Sequence, residues 1–335
     1  MSLYYRPIPQ IDRSRGKDSY PLAGGKVWFS KVEILERNRV SYIVPVSEIP
    51  DQEMHTLIDE RSNVLGFSAS SPIIMGILNV TPDSFSDGNK WSCPAQALVR
   101  VKSMINDGVD IIDIGGESTR PGFKAISEKE ELSRVIPIIK SIRDVNLNVP
   151  LSIDTTKAAV AAKALEVGVD FVNDVSAMLS DVNMADVVKI NKAPVCLMHS
   201  DPIASDSSNL PLYENVLLDV YDFLAKRLQD ADLLGIPRSK IVVDPGIGFG
   251  KTMEHNLILL NGLSLFHSLG CTLLLGASRK RFIGTISGES QPEKRMAGSI
   301  AVSIEGLRQG VQILRVHDIA ENCQATRMWK AMNCD

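Results

Sequence analysis

A chain of 335 residues with 44% hydrophobic and 23% charged residues has the composition of a soluble globular protein, long enough for one large domain or two ordinary ones. Its formal charge of -4, with no block of Lys or Arg, argues against a nucleic-acid surface, so any attraction for an anionic ligand must be local. No apolar run is long enough to span a membrane, and the N-terminus lacks the apolar core of a secretory signal. Five scattered cysteines without CxxC or Cys/His spacing point to reduced thiols in a cytoplasm and away from structural zinc.

Residues 1–70 carry Pro7, Pro9, Pro21, Pro45 and Pro50, the Gly24-Gly25 pair and a charged middle. A strand or hairpin is expected in Gly25–Arg37, from Val27, Phe29, Val32 and Ile34, and one helix in Glu53–Glu60. Too few apolar residues are present for an independent core. The expectation is an N-terminal extension over 1–70, packed on the remaining 71–335 or on a partner subunit.

From residue 73 onward, short β-rich apolar runs alternate with helical stretches. The runs are Ile73–Val80, Asp110–Gly116, Leu151–Thr155, Phe171–Val175, Pro194–His199, Lys240–Gly246, Thr272–Ser278 and Val311–Asp318. Several are apolar at nearly every position, as parallel strands covered on both faces are. Helical patterns lie between them, among them Ala95–Asp107, Glu128–Arg143, Thr156–Val167, Val216–Leu234 and Arg295–Gln309. Eight βα units over roughly 260 residues predict an α/β fold of the (β/α)8 TIM-barrel type, with a doubly wound open sheet as the alternative.

Each run ends in a polar residue: Asn79, Glu117, Asp154, Asn173, His199, Asp244, Lys280 or His317, at or just past the strand. Any one could cap a helix or turn, as Asp154 or Asn173 could. Eight together predict a site at the C-terminal mouth of a barrel.

Two strings stand out. Gly76-Ile77-Leu78-Asn79-Val80-Thr81-Pro82-Asp83-Ser84-Phe85-Ser86-Asp87-Gly88 takes a buried strand to an amide and a hydroxyl-rich loop. Asp113-Ile114-Gly115-Gly116-Glu117-Ser118-Thr119-Arg120-Pro121-Gly122 pairs glycines, which admit close backbone approach, with Ser, Thr and Arg donors. That makes the second string a candidate anion loop or, more plainly, a tight turn. On these two strings and the strand-end motifs, the chain over about residues 73–333 resembles the dihydropteroate synthases, which join a pterin pyrophosphate to p-aminobenzoate on the route to folate.

The resemblance implies roles for named residues. Asp244 in Val243-Asp244-Pro245-Gly246-Ile247-Gly248-Phe249-Gly250-Lys251, with Asn173, Asp154 and Lys280, matches the pterin contacts, and Met198 and Phe249 match apolar walls. A carboxylate can accept the two adjacent donors of a pterin edge, and an amide supplies both donor and acceptor. Thr119, Arg120 and Pro121, with Pro82 and Phe85, match the substrate loops, and Ser278 matches a neighbour of the aminobenzoate carboxylate. Arg315 and His317, two apart on one strand and so on one side, match a diphosphate clamp beside Mg²⁺ on Asn79.

No Ser-His-Asp or Cys-His group suggests a covalent nucleophile, and a neutral arylamine needs no general base. Catalysis would therefore fall to Asp154, Lys280, Arg315 and His317 in a dissociative displacement of diphosphate, with Mg²⁺ as cofactor. A homodimer is implied as well. The chain departs from the family after Met198-His199, reading Ser200-Asp201-Pro202-Ile203-Ala204-Ser205-Asp206 where the family has a Met-Gln-Gly-type segment. A pterin-dependent methyltransferase on the same barrel and a non-catalytic pterin-binding relative are the competing readings.

Overall fold

A computed structural model describes residues 3–62, 64–68, 71–81, 93–118, 125–201 and 212–333. The N-terminal part holds five short strands: β1 (Tyr4–Pro7), β2 (Tyr20–Pro21), β3 (Trp28–Phe29), β4 (Lys31–Leu35) and β5 (Tyr42–Pro45). Helix α1 (Asp51–Ile58) follows them. β1, β4 and β5 form an antiparallel sheet, and β2 pairs with β3.

Eight parallel strands then close into a barrel: β6 (Ile73–Asn79), β7 (Ile111–Gly115), β8 (Leu151–Asp154), β9 (Phe171–Asp174), β10 (Val195–Met198), β11 (Ile241–Asp244), β12 (Thr272–Leu275) and β13 (Ile313–Val316). Each lies beside its sequence neighbour, and β13 returns to β6 to complete the ring. The order excludes the doubly wound sheet. Helices alternate with the strands: α2 (Pro94–Asp107), α3 (Glu128–Asp144), α4 (Ala158–Glu166), α5 (Met184–Asn191), α6 (Val216–Leu233), α7 (Met253–Asn261), α8 (Arg281–Ser287), α9 (Met296–Arg308) and α10 (Ile319–Asn333). Their starts obey local chemistry: Ser127 and Asn215 accept backbone N–H groups of Glu130 and Leu218, and Thr252 forms a capping box with His255.

Strand alternation divides the apolar residues into two clusters. Met75, Ile111, Phe171, Cys196, Val242, Leu274 and Ile313 fill the barrel interior, joined by Val64 from the N-terminal part. The alternate positions, such as Ile112, Ile153, Val172, Leu197, Val243 and Leu314, pack outward against the helices. Leu22, Phe29, Val32, Ile34 and Leu57 belong to that outer cluster, so the N-terminal sheet and α1 share the helical layer's core. Polar ties cross the same contact. Arg37 bonds Asp219 and Asp222 of α6 at 2.7 Å each, Ser264 Oγ donates to Pro7 O at 2.9 Å, and Arg61 Nη2 donates to His267 O at 2.8 Å.

Candidate active site

The interior face of the barrel changes character toward the strands' C-terminal ends. Two residues above Ile111, Phe171, Val242 and Ile313, in the same phase, stand Asp113, Asn173, Asp244 and Arg315. Asp154 and Met198 complete the ring two residues above Ser152 and Cys196. An apolar floor thus carries a ring of charge, and the ring is tightly bonded. Arg315 Nε donates to Asp113 Oδ2 and Nη2 to Asp154 Oδ2, both at 2.7 Å, and Asn173 Nδ2 donates to Asp113 Oδ2 at 3.0 Å. Asp113 is fully buried, and its Oδ1 has no hydrogen-bond partner among the described residues. Asp113 is not a strand end and so is not among the polar residues that close the apolar runs. The signal was its phase, two residues below Gly115 on β7.

Asp244 opens a loop that folds back on the mouth. Its Oδ1 accepts the Gly246 N–H at 2.7 Å, so the side chain does hold a turn, while remaining in the ring. Phe249, farther along that loop, lies under Lys280, whose Nζ is 4.4 Å from the ring centroid and donates to Ile247 O. The cations of Arg279-Lys280-Arg281 have three different fates. Arg279 makes a two-point bond to Asp318, from Nη2 to Oδ1 at 2.5 Å and from Nε to Oδ2 at 3.0 Å. Lys280 is half-buried over the mouth and Arg281 is exposed. The Arg279–Asp318 bond fixes the segment holding Lys280 to the one holding His317.

Arg315 and His317 share a strand phase but not partners. Arg315 engages the two carboxylates, whereas His317 meets Ser278: its backbone N–H donates to Ser278 Oγ at 3.2 Å, and Nδ1 lies 3.0 Å from that oxygen. Ser278 is buried and stands where it sets the imidazole's orientation. Asn79, last in β6, is half-buried, and its side chain has no hydrogen bond among the described residues. Glycine keeps the centre open. A Cβ at Gly115 would sit 3.4 Å from Asn79 Oδ1, and one at Gly276 would sit 3.5 Å from Asp244 Oδ2. Pro82, Phe85, Thr119, Arg120 and Pro121 lie outside the described residues, as does 202–206 of the divergent segment.

Two strand-end residues turn away from the mouth. His199 is one position out of phase with Met198, so it turns into a packing cluster, with its ring 4.7 Å from that of Phe223. Glu117 accepts from Lys157 Nζ at 2.5 Å and from the Ile126 N–H at 2.8 Å, bracing the base of its own loop. The capping alternative for Asp154 does not hold: α4 begins after Lys157, and Asp154 is committed to Arg315.

Burial and crowding of charge perturb the ring. Burial pushes the Asp154 carboxyl up to about 7, against the pull of Arg315 and with the neighbouring Asp113 adding to the rise. Burial raises Asp244 too, opposed by Lys280. Lys280 is lowered to about 8, again chiefly by burial, with Asp244 restoring part of the loss. The mouth therefore holds one carboxyl, Asp154, and one ammonium, Lys280, that titrate close together.

The (β/α)8 barrel carries acidic, amide and cationic groups at its strand ends, and residues 75–317 match the family model described as Pterin binding enzyme. The Bacillus subtilis dihydropteroate synthase is 44% identical over 276 residues, covering 82% of this chain and 93% of the relative. The Xanthomonas albilineans dihydropteroate synthase solved with 4-aminobenzoic acid superposes with a TM-score of 0.76 at 39% identity, covering 82% of this chain and 98% of that one. The same organism's enzyme in complex with 7,8-dihydropteroate gives a TM-score of 0.71 at 34% identity, covering 82% and 99%. The chain belongs to the dihydropteroate synthase family.

Proposed function

We propose that the chain condenses 6-hydroxymethyl-7,8-dihydropterin pyrophosphate with p-aminobenzoate to 7,8-dihydropteroate and diphosphate, in folate biosynthesis. The observation that carries this reading is the ring of Asp113, Asp154, Asn173, Asp244 and Arg315 over an apolar floor, with Lys280 above it, in a chain 44% identical to a dihydropteroate synthase. In this reading residues 1–70 are an N-terminal extension and 71–335 are the pterin-binding barrel.

Asp244 accepts the paired donors of the pterin edge, Asn173 supplies a donor and an acceptor beside it, and Lys280 donates to the ring carbonyl and a ring nitrogen. Met198 and Phe249 form the walls. The reaction breaks the methylene C–O bond, and its electron pair leaves with diphosphate. The positive charge left on the pterin methylene spreads over the ring, where Asp154 and Asp113 face it. The aminobenzoate nitrogen then forms the C–N bond and releases one proton to solvent. Its loop residues are Thr119, Arg120 and Pro121, with Ser278 beside its carboxylate, and the same Ser278 hydroxyl orients His317 at the diphosphate end. Arg315 has two tasks, since its guanidinium holds the carboxylates in place and presents positive charge to the departing diphosphate.

Asn79 suits Mg²⁺: a hard amide oxygen at the strand end, with no protein donor among the described residues, beside the open space that Gly115 leaves. A bound Mg²⁺ would neutralise part of the diphosphate charge. The family resemblance supports a homodimer. A cytoplasmic site of action agrees with the finding that, among the described residues, no helix is long and apolar enough to cross a membrane.

Diphosphate release followed together with dihydropteroate tests the reading. One dihydropteroate per diphosphate, dependent on p-aminobenzoate, is the expected result. Diphosphate released to water alone would overturn it. Pterin binding without turnover would favour the non-catalytic relative.

A further inference from the structure

We infer that Lys251 is a positioning residue for the pterin end of the site: its side chain gathers the backbone carbonyls of His199, Gly246 and Phe249 and so holds the loop that presents Asp244 and Phe249. The residue is only 9% exposed, although it lies in a loop. Its Nζ lies 2.9 Å from Gly246 O, 3.0 Å from Phe249 O, 3.3 Å from His199 O and 2.9 Å from His199 Nδ1. Four acceptors surround it, and no carboxylate bonds to it among the described residues.

The backbone explains the need for it. Gly246, Gly248 and Gly250 have φ of +69°, +81° and +64°, a run of left-handed turns that brings carbonyl dipoles toward one point. A Cβ at Gly246 would come within 1.8 Å of His199 O, so the loop lies directly against the end of β10. Converging carbonyl oxygens repel one another in a buried space, and an ammonium with three donors offsets that repulsion. Burial lowers Lys251 to about 7, yet a nest of acceptors is best satisfied by its protonated form. His199, held neutral by burial and by Lys251, supplies the acceptor nitrogen. The loop so fixed carries the Gly246 N–H that orients Asp244, Ile247 O that receives Lys280, and Phe249 beneath it.

The inference rests on the reading of Asp244 and Phe249 as pterin contacts. The test is calorimetric binding of 6-hydroxymethyl-7,8-dihydropterin to the full chain and to Lys251→Met, with Asp244→Asn beside them, and KM for each substrate. Lys251→Met is expected to bind the pterin about ten-fold or more weakly, with KM for p-aminobenzoate changed less than about two-fold. A role confined to folding would lower the active fraction and leave the affinity of the remainder unchanged. Should Lys251→Met fail to fold, His199→Leu removes one acceptor and is expected to weaken the pterin about three-fold, without affecting p-aminobenzoate. Unchanged pterin affinity in these variants, with affinity lost in Asp244→Asn, overturns the role of Lys251 alone. Unchanged affinity in Asp244→Asn overturns the pterin reading on which it stands.

Discussion

Arg315 of β13 and Asp113 of β7 meet inside the barrel, Nε to Oδ2 at 2.7 Å, and the same guanidinium bonds Asp154 through Nη2. One cation between two carboxylates leaves the cluster net negative, which suits a pterin that becomes cationic as diphosphate departs. Removing the cation tests its structural half. Arg315→Met orphans two buried carboxylates and is expected to cost about 3 kcal/mol near pH 8. Without the pull of Arg315, the Asp154 carboxyl titrates still farther above its unfolded value, so the folded state binds the extra proton and stability falls as pH rises. The loss should therefore shrink at about pH 5, and denaturant unfolding at both pH values would show it. A pH-independent loss would mean that charge is not the cause.

The pH profile tests the catalytic half. Asp154 becomes a carboxylate as pH rises through about 7, and Lys280 loses its ammonium above about 8. If both charged forms are needed, kcat/KM for the pterin pyrophosphate is a narrow bell between those limbs. Asp154→Asn should lower kcat at least about 100-fold and abolish the acid limb of what remains. An acid limb unmoved in that variant would assign it to another group.

Asn79→Ala addresses the metal. The Mg²⁺ concentration for half-maximal rate is expected to rise about ten-fold, while affinity for the diphosphate-free dihydropterin stays unchanged. An equal loss of both would make Asn79 a pterin contact.

The N-terminal part shares its core with the barrel's outer layer, so it should unfold with the barrel. Phe29 is fully buried there, and Phe29→Ala is expected to cost about 3–5 kcal/mol. Calorimetry should show one transition moving to lower temperature. Two separate transitions would make residues 1–70 an independent unit.

The barrel was legible because parallel strands covered on both faces leave long apolar runs, and all eight predicted runs contain an observed strand. The strand ends were legible for a related reason: polar residues closing such runs have few places to go but the mouth. Phase, not position, decided which of them enter it. Asp113 lies inside β7 yet joins the ring, whereas His199 lies at an end yet turns away. The Lys251 nest could not be seen, because it depends on backbone carbonyls brought together by three left-handed glycines. The N-terminal sheet was only partly visible: β3 and β4 both fall in Gly25–Arg37 and α1 overlaps the expected helix, but the two strands form no hairpin, since β3 pairs with β2 and β4 with β1 and β5 through contacts that periodicity does not encode.

In the proposed reaction diphosphate leaves before the amine attacks, and Asp113 and Asp154 face the cation. Positional isotope exchange tests it most directly. The pterin pyrophosphate carries ¹⁸O in the methylene–phosphate bridge, Mg²⁺ is present, and benzoate replaces p-aminobenzoate so that no product can form. If diphosphate departs first, label moves from the bridge to the non-bridging oxygens of the α-phosphate in the recovered substrate, and exchange slows in Asp154→Asn. Label that stays in the bridge, under conditions where the full reaction turns over many times, would contradict a dissociative step.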